Sequence, residues 1–209
     1  MPKIKNIIFD LGGVILNIDE NAVPYNVGKL GFDAKQLIGN QDVRSLLHDF
    51  ETGRVDTVAF RGSMKELSGM ENLSDEDFDR IWSSILLDFP KERIDYILKL
   101  RPKYSVYLLS NTNKLHYDRF SADFMQRFHF PFDTLFVHAF YSFRMGLAKP
   151  DLEIFKSVFR SAGIKPEETL FVDDNAENIS SAARLGLRTL AIECNSGLGK
   201  LTALLSAAV

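Results

Sequence analysis

The sequence has few residues that could stabilise a fold by anything other than burial. Its 209 residues include one cysteine, Cys194, and one tryptophan. A single thiol can form neither an intramolecular disulfide nor a zinc cluster, so a secreted disulfide scaffold and a zinc finger are both excluded. A chain of this length buries about 70% of the surface that its unfolded form exposes, so it needs no metal to fold.

The sequence also lacks the features that indicate a membrane protein, a secreted protein or a nucleic-acid binder. No apolar run approaches the length of a membrane span, and the first residues lack the apolar core and cleavage site of a signal peptide. Lys and Arg number 25 against 28 Asp and Glu, a formal net charge of −3, whereas a nucleic-acid binder needs a basic surplus. We therefore expect a cytoplasmic monomer or homodimer whose partner is a small molecule, not a nucleic acid or a membrane.

Short apolar runs alternate with helix-period segments along most of the chain. The strand-like runs are Ile4 to Phe9, Tyr104 to Leu109, Thr169 to Val172 and Arg188 to Ile192. Helical periodicity covers about 91–101, 114–127, 151–162 and 176–185. Strands that alternate with helices predict an α/β fold, a Rossmann-like parallel sheet with helices on both faces.

Residues 20 to 86 break this alternation, because they contain no convincing strand. They hold helical segments at Gln41 to Glu51, Thr57 to Leu67 and Ser74 to Leu87, the last opened by Ser74 as N-cap. Such a block, standing between the first strand and the next helix, predicts an inserted all-helical cap. The predicted domains are a core of residues 1–17 and 88–209 and a cap of residues 18–87.

Carboxylates follow two of the predicted strands, Asp10 after the first and Asp173-Asp174 after the third. The carboxyl ends of neighbouring parallel strands form one crevice, so these side chains should meet there. Three converging carboxylates repel one another and need a cation. Oxygen ligands without histidine or cysteine favour magnesium, whose open positions commonly bind a phosphate.

Groups suited to bind that phosphate follow the second strand. They are the hydroxyls of Ser110 and Thr112 and the amide of Asn111, while Lys149 adds a positive charge in the turn before Pro150. A carboxylate, a metal, a lysine and a hydroxyl together suit phosphoryl transfer through an aspartyl-phosphate.

Four segments, in this order and spacing, resemble the four motifs of the haloacid dehalogenase (HAD) superfamily, most of whose members are phosphatases. They are Phe9 to Val14, Leu109 to Asn113, Lys149-Pro150 and Phe171 to Ile179. The resemblance covers about residues 4 to 192, with the helical cap in the family's position. The Asp-Leu-Gly and Ser-Asn-Thr-Asn forms resemble a branch that includes α-D-glucose-1-phosphate phosphatases and the N-terminal phosphatase domains of epoxide hydrolases.

The resemblance implies a magnesium site made by the first and fourth motifs. Asp10 would be both the nucleophile and a metal ligand, and the backbone carbonyl of Gly12 would be a second ligand. Asp174 would be the third protein ligand, with Asp173 close by, ligating directly or through water.

The second and third motifs would, by the same resemblance, bind the transferred group. Ser110 and the Asn111 amide would hold the phosphoryl group, and Lys149 would neutralise the charge of nucleophile and phosphate. The implied function is magnesium-dependent hydrolysis of a small phosphorylated metabolite.

The chain departs from the family at Gly12, where most HAD phosphatases carry a second Asp as general acid and base. An enzyme without this acid should favour esters whose leaving oxygen needs little protonation. Hexose 1-phosphates fit best, and aryl and acyl phosphates fit for the same reason. His116 and Asp19 are the candidate replacements, although a surface or supporting role and an N-cap role respectively are the simpler interpretations.

Two other functions stay open at this point. One is a catalytically silent binding module that has kept the HAD fold, and the other is a haloacid dehalogenase. A dehalogenase does not need the acidic fourth motif, which is intact here. The cap would select the substrate, and its candidate contacts are Arg44, Arg54, Arg61 and His48.

Overall fold

The computed structural model describes residues 2–33 and 39–206. At its centre is a parallel five-stranded sheet in the order β3-β2-β1-β4-β5. The strands are β1 (Asn6–Phe9), β2 (Ser105–Ser110), β3 (His138–Tyr141), β4 (Thr169–Asp173) and β5 (Arg188–Ala191). This sheet and its helices confirm the predicted α/β class.

The helices of the described residues lie between and around these strands. They are α1 (Ala22–Lys29), α2 (Gln41–Glu51), α3 (Thr57–Ser68), α4 (Asp75–Trp82), α5 (Lys91–Leu100), α6 (Lys114–Phe128), α7 (Ser142–Met145), α8 (Leu152–Ala162), α9 (Ala176–Arg184) and α10 (Gly199–Ser206). Within residues 2–33 and 39–206, none is long and apolar enough to cross a membrane.

The apolar strands are buried on both faces, as a covered parallel sheet requires. In β1, Ile7 and Phe9 belong to the larger core cluster, and Ile8 belongs to a second cluster on the opposite face. All three side chains are fully buried. This alternation within a continuous apolar run fixes β1 at the centre of the sheet and brings Asp10 to its carboxyl edge.

Among the elements whose bounds were not predicted from the sequence are β3 and α1, and of α1 only the N-cap was predicted. The edge strand β3 has only four residues, and its first residue is exposed. Its sequence, His-Ala-Phe-Tyr, begins with a polar residue and contains no β-branched side chain, so it only weakly indicates a strand. Helix α1 contains Pro24 in its first turn, where the missing N–H costs little, and Gly28 near its end.

Helices α1 to α4 form the block that was predicted as a cap, of which residues 34–38 lie outside the described part of the chain. Two apolar clusters hold the block together. One contains Phe50, Phe60 and Phe78, and the other contains Val27 and Ile81. The domain boundaries themselves stay a prediction.

The two segments that join this block to the sheet are hydrogen-bonded to each other. Asn17 N–H donates to the Asp88 carbonyl (2.9 Å), and Leu87 N–H donates to the Asn17 carbonyl (3.0 Å). An antiparallel bridge between Ile18 and Leu86 continues the pairing. We call this pair of segments, residues 17–19 and 85–88, the linker ribbon.

A further contact between the block and the sheet depends on Gly53, which follows α2. Its φ is +69°, and a Cβ built there would lie 2.1 Å from the carbonyl oxygen of Phe143 in α7. Only glycine allows the two backbones to approach so closely.

Candidate active site

A buried lysine lies at the carboxyl edge of the sheet, between two carboxylates. Lys149 Nζ is 2.6 Å from Asp10 Oδ1 and 2.7 Å from Asp173 Oδ2, and the Lys149 side chain is 1% exposed. Asp10 directly follows β1, and Asp173 ends β4. The predicted meeting of the first, third and fourth motifs is therefore present.

Asp173 has hydrogen bonds to both carboxylate oxygens. Oδ1 accepts from the backbone N–H of Asn175 (2.8 Å), Oδ2 accepts from Lys149, and the Asn178 side-chain amide lies 3.2 Å from each oxygen. The residue is completely buried. These bonds make Asp173 an anchor for Lys149 and for the start of α9.

Asp174 turns the other way, towards the loop after β1. A Cβ built on Gly13, whose φ is +72°, would lie 2.2 Å from Asp174 Oδ2 and 2.8 Å from Cys194 Sγ. The absence of a side chain at residue 13 therefore lets the Asp174 carboxylate reach the loop that carries Asp10.

These three carboxylates could hold a metal ion. One oxygen from each of Asp10, Asp173 and Asp174 lies within 4.8 Å of the others. When all are ionised, three carboxylates against the single ammonium of Lys149 leave a net charge of −2 in the site. A donor set made of oxygen, with this charge, fits a hard divalent cation such as magnesium.

Burial and mutual repulsion shift the pKa values of these groups. Burial raises the pKa of Asp10 well above its ordinary value, the neighbouring Lys149 opposes the rise, and the charge of Asp173 adds to it. Burial also raises the pKa of Asp174. For Lys149, burial acts to lower the pKa, but the charges of Asp10 and Asp173 outweigh it and the pKa rises, so the ammonium stays charged.

The second motif meets the third through the side chain of Asn111. Its Nδ2 donates to the Lys149 carbonyl (2.8 Å), and its Oδ1 accepts from the Lys149 N–H (2.9 Å). Both polar atoms of this side chain therefore fix the loop that carries Lys149. Ser110 ends β2 and is buried, and the nearest acceptor of its hydroxyl is the Asn111 carbonyl at 3.4 Å, a weak contact.

Gly12 faces an apolar neighbour. A Cβ built there would meet side-chain carbons of Ile18 at 3.5 and 3.6 Å, an ordinary packing distance. Of the two candidate replacements for the missing acid, Asp19 is exposed, and its Oδ1 accepts from the N–H of Asn21. Asn21 is the N-cap position of α1, so the prediction of Asp19 as N-cap is wrong by two residues.

The other candidate, His116, lies behind the site and joins α6 to the helical block. Its ring stacks on Trp82 with a centroid distance of 5.6 Å. Nε2 is 3.1 Å from the Trp82 carbonyl, so this nitrogen carries the proton, and Nδ1 accepts from Asn113 Nδ2 at 3.2 Å. Burial lowers the pKa of His116 to about 4. A neutral ring with both nitrogens bonded is poorly suited to act as a general acid.

Comparison with known proteins gives a consistent result. A family model described as haloacid dehalogenase-like hydrolase matches residues 4–186. A D-ribitol-5-phosphate phosphatase from Bacteroides thetaiotaomicron is 34% identical over 187 residues, which are 89% of this chain and 90% of that protein.

Solved structures agree with this match. A HAD family enzyme from Bacteroides thetaiotaomicron, in complex with magnesium and inorganic phosphate, has 36% identity and a TM-score of 0.87, covering 95% of this chain and 98% of that one. A HAD-like family hydrolase from Porphyromonas gingivalis has 31% identity and a TM-score of 0.87, covering 98% of each chain.

The contrast between Gly13 and Gly12 gives a test of the cation site. Gly13→Ala would push the Asp174 carboxylate away from the loop, whereas Gly12→Ala adds a methyl group at ordinary packing distance. We expect Gly13→Ala to weaken magnesium binding, measured by titration calorimetry, by about 10- to 100-fold, as displacing a ligand's support typically does. Gly12→Ala, the matched control, should stay within about threefold of the unmodified protein. Equal affinities for the two variants would contradict this geometry.

Proposed function

This chain belongs to the haloacid dehalogenase-like hydrolase family, and on that basis we propose that it hydrolyses a small phosphorylated metabolite with magnesium, through an aspartyl-phosphate on Asp10. The observation that carries the proposal is the convergence of Asp10, Asp173 and Asp174 around the buried ammonium of Lys149. An acidic site with one fixed cation suits a substrate that brings negative charge together with a divalent metal.

Asp10, the backbone carbonyl of Gly12 and Asp174 would hold the magnesium ion. Asp173 would contribute through water, because its carboxylate already accepts hydrogen bonds from Lys149, Asn175 and Asn178. When bound, magnesium would supply positive charge for the phosphate oxygens.

The steps that form and break bonds involve residues of this chain. An oxygen of Asp10 attacks phosphorus, the bond between phosphorus and the leaving oxygen breaks, and the leaving oxygen takes a proton from solvent to become the alcohol. Water then attacks the phosphorus of the aspartyl-phosphate, which restores Asp10 and releases inorganic phosphate. Lys149 and the Ser110 hydroxyl would bind the phosphoryl oxygens, with the backbone amide of Asn111, since its side chain already holds the Lys149 loop.

The name of the Bacteroides relative supports a phosphorylated metabolite as the substrate class, since that protein is a D-ribitol-5-phosphate phosphatase. The branch predicted from the first and second motifs, which includes glucose-1-phosphate phosphatases, stays a prediction. The cytoplasmic location and the choice between monomer and homodimer also stay predictions.

Replacing the nucleophile tests the proposal directly. Asp10→Asn should abolish magnesium-dependent hydrolysis of p-nitrophenyl phosphate, because an amide cannot form the acyl-phosphate. Asp19→Asn is the matched control, since Asp19 is an exposed carboxylate of the same segment and an asparagine oxygen could still accept from Asn21.

The unmodified protein should lose activity with a chelator and regain it with magnesium. Full activity of folded Asp10→Asn would exclude the aspartyl-phosphate. Absence of any turnover by the unmodified protein would favour the silent binding module, and chloride release from a 2-haloacid would favour the dehalogenase.

The two neighbouring carboxylates of the fourth motif should respond differently to substitution. Asp174→Asn should raise the magnesium requirement more than Asp173→Asn does, because we assign the direct bond to Asp174. Asp173→Asn should instead lower the melting temperature, by about 10 °C, because losing one partner of a buried ion pair typically costs about 3–5 kcal/mol. Magnesium titrations of activity and thermal melts of both variants measure the two effects. The reverse ranking would mean that the two roles are exchanged.

The identity of Gly12 leads to a proposal about the leaving group. Proton transfer from a general acid is typically worth about 10²- to 10⁴-fold in rate, and residue 12 has no side chain to supply it. Asp19 and His116 are poor substitutes, for the reasons given above. We therefore propose esters with good leaving groups as substrates, with hexose 1-phosphates ahead of hexose 6-phosphates.

A series of phosphomonoesters checks this proposal. The logarithm of kcat/KM should fall steeply as the pKa of the leaving alcohol rises, and glucose 1-phosphate should be turned over faster than glucose 6-phosphate. Gly12→Asp should flatten the dependence, since the space at residue 12 admits a Cβ. A flat dependence in the unmodified protein, or preference for glucose 6-phosphate or ribitol 5-phosphate, would show that another group is the acid.

A further inference from the structure

A cavity of about 360 Å³ lies in the helical block. It is bounded by residues of the two apolar clusters that hold the block together. Its walls are mainly apolar and include Val23, Val27, Val43, Leu47, Met64 and Met70. Cavities of this size and character are typical of small-molecule sites.

The cavity is next to the candidate active site, because two of its lining residues come from segments that leave the site. His116 lies in the first turn of α6, and its ring is hydrogen-bonded to Asn113, the last residue of the second motif. Glu20 follows the first segment of the linker ribbon, in which Ile18 lies at packing distance from a Cβ built on Gly12 of the first motif.

The cavity offers little to a highly hydroxylated molecule. Its lining residues with polar side-chain atoms are Glu20, Arg44, Glu51, Trp82 and His116. Both ring nitrogens of His116 are bonded, and Arg44 donates to the Gly39 carbonyl. Within the described part of the chain, the groups among these without a hydrogen-bond or ion-pair partner are the carboxyl groups of Glu20 and Glu51 and the buried Nε1–H of Trp82. Burial raises the pKa of Glu51, as expected of a carboxyl group in apolar surroundings.

A hexose carries a hydroxyl on almost every carbon, and two carboxyl groups and one indole N–H cannot bind them all. Hydroxyls buried against apolar walls without partners weaken binding. The residue nearest to the position of the missing acid is also apolar, since Ile18 packs where a side chain on Gly12 would begin. The first side chain met beyond Gly12 is therefore apolar.

We propose that this cavity binds the alcohol portion of the substrate, and that the substrate class is phosphomonoesters of apolar alcohols with at most one or two polar substituents. This inference rests on the proposed phosphatase function and names its substrate class. Among the good leaving groups, it favours aryl alcohols over hexoses. A cavity of about 150 Å³ takes up benzene, so this one has room for a body of about twice that size.

Chain length at constant leaving-group chemistry tests the inference. Phenyl, 4-ethylphenyl and 4-butylphenyl phosphate differ in apolar size but hardly in the acidity of the phenol. Each methylene that enters the cavity should lower KM by up to about fourfold, while kcat changes little. Turnover of all three with one KM would overturn the inference and leave the phosphatase function standing.

Direct binding gives a second measurement that needs no turnover. Trp82 is the single tryptophan of the chain and lines the cavity, so its fluorescence reports occupancy. The probe is 4-butylcyclohexanol, which does not absorb at the excitation wavelength. It should change the emission saturably, whereas glucose and ribitol should not. A saturable response to glucose or ribitol, with none to the apolar alcohol, would overturn the inference even if no phosphate ester were hydrolysed.

A substitution in the wall connects both measurements to the cavity. Val23→Phe should reduce the space, abolish the KM advantage of 4-butylphenyl phosphate and remove the fluorescence response, while phenyl phosphate is still hydrolysed. Val58→Phe is the matched control, since Val58 is exposed on α3 and should leave both unchanged. An unchanged response of folded Val23→Phe would show that the alcohol binds elsewhere. Should Val23→Phe not fold, the chain-length series and the fluorescence of the unmodified protein decide.

Discussion

The whole site depends on one buried ammonium group. A charge taken out of water is costly unless partners compensate it, and removing one partner of such a pair leaves the other uncompensated. Lys149 is compensated by Asp10 from the end of β1 and by Asp173 from the end of β4. Asn111, which follows β2, holds the backbone of the same lysine. The ends of three neighbouring strands are thus tied to a single residue, two through its side chain and one through its backbone.

Asp173 and Asp174 are adjacent at the end of β4, but their side chains point in different directions and therefore have different roles. Asp173 faces inwards, is completely buried and accepts hydrogen bonds from Lys149, Asn175 and Asn178. Asp174 faces the loop after β1 and approaches it closely, because residue 13 is glycine. One aspartate therefore supports the structure of the site while its neighbour stays available to a cation. The different directions of the two side chains follow from the extended backbone, in which successive side chains point to opposite faces.

Much of this fold could be predicted from local sequence patterns. Two strands could be recognised from short apolar runs, one followed by Asp10 and the other by Asp173. The observed bounds of α2, Gln41–Glu51, are those predicted. The strand β3 was missed, because its four residues, His-Ala-Phe-Tyr, begin with an exposed histidine and include no β-branched side chain. Its assignment depends on pairing with β2, which is a long-range contact.

The less predictable parts of the site are those set by tertiary packing. The four motifs indicated which residues would meet, but not that the Asn111 side chain would bind the backbone of Lys149. Nor could the sequence show that both ring nitrogens of His116 would be bonded, since one partner is a carbonyl 34 residues away. The cavity likewise arises where two apolar clusters of the helical block leave a space, and no single segment encodes it.

The linker ribbon has a mechanical consequence for the helical block. Two independent linkers would allow the block to twist and to slide over the sheet. Here Asn17 bonds to both Leu87 and Asp88, and Ile18 pairs with Leu86, so one linker cannot advance without the other. A hydrogen-bonded strip resists shear within its plane but bends across it. The two segments must therefore move together if the block moves, and the close approach of Gly53 to the Phe143 carbonyl ties the block to the core at a second place.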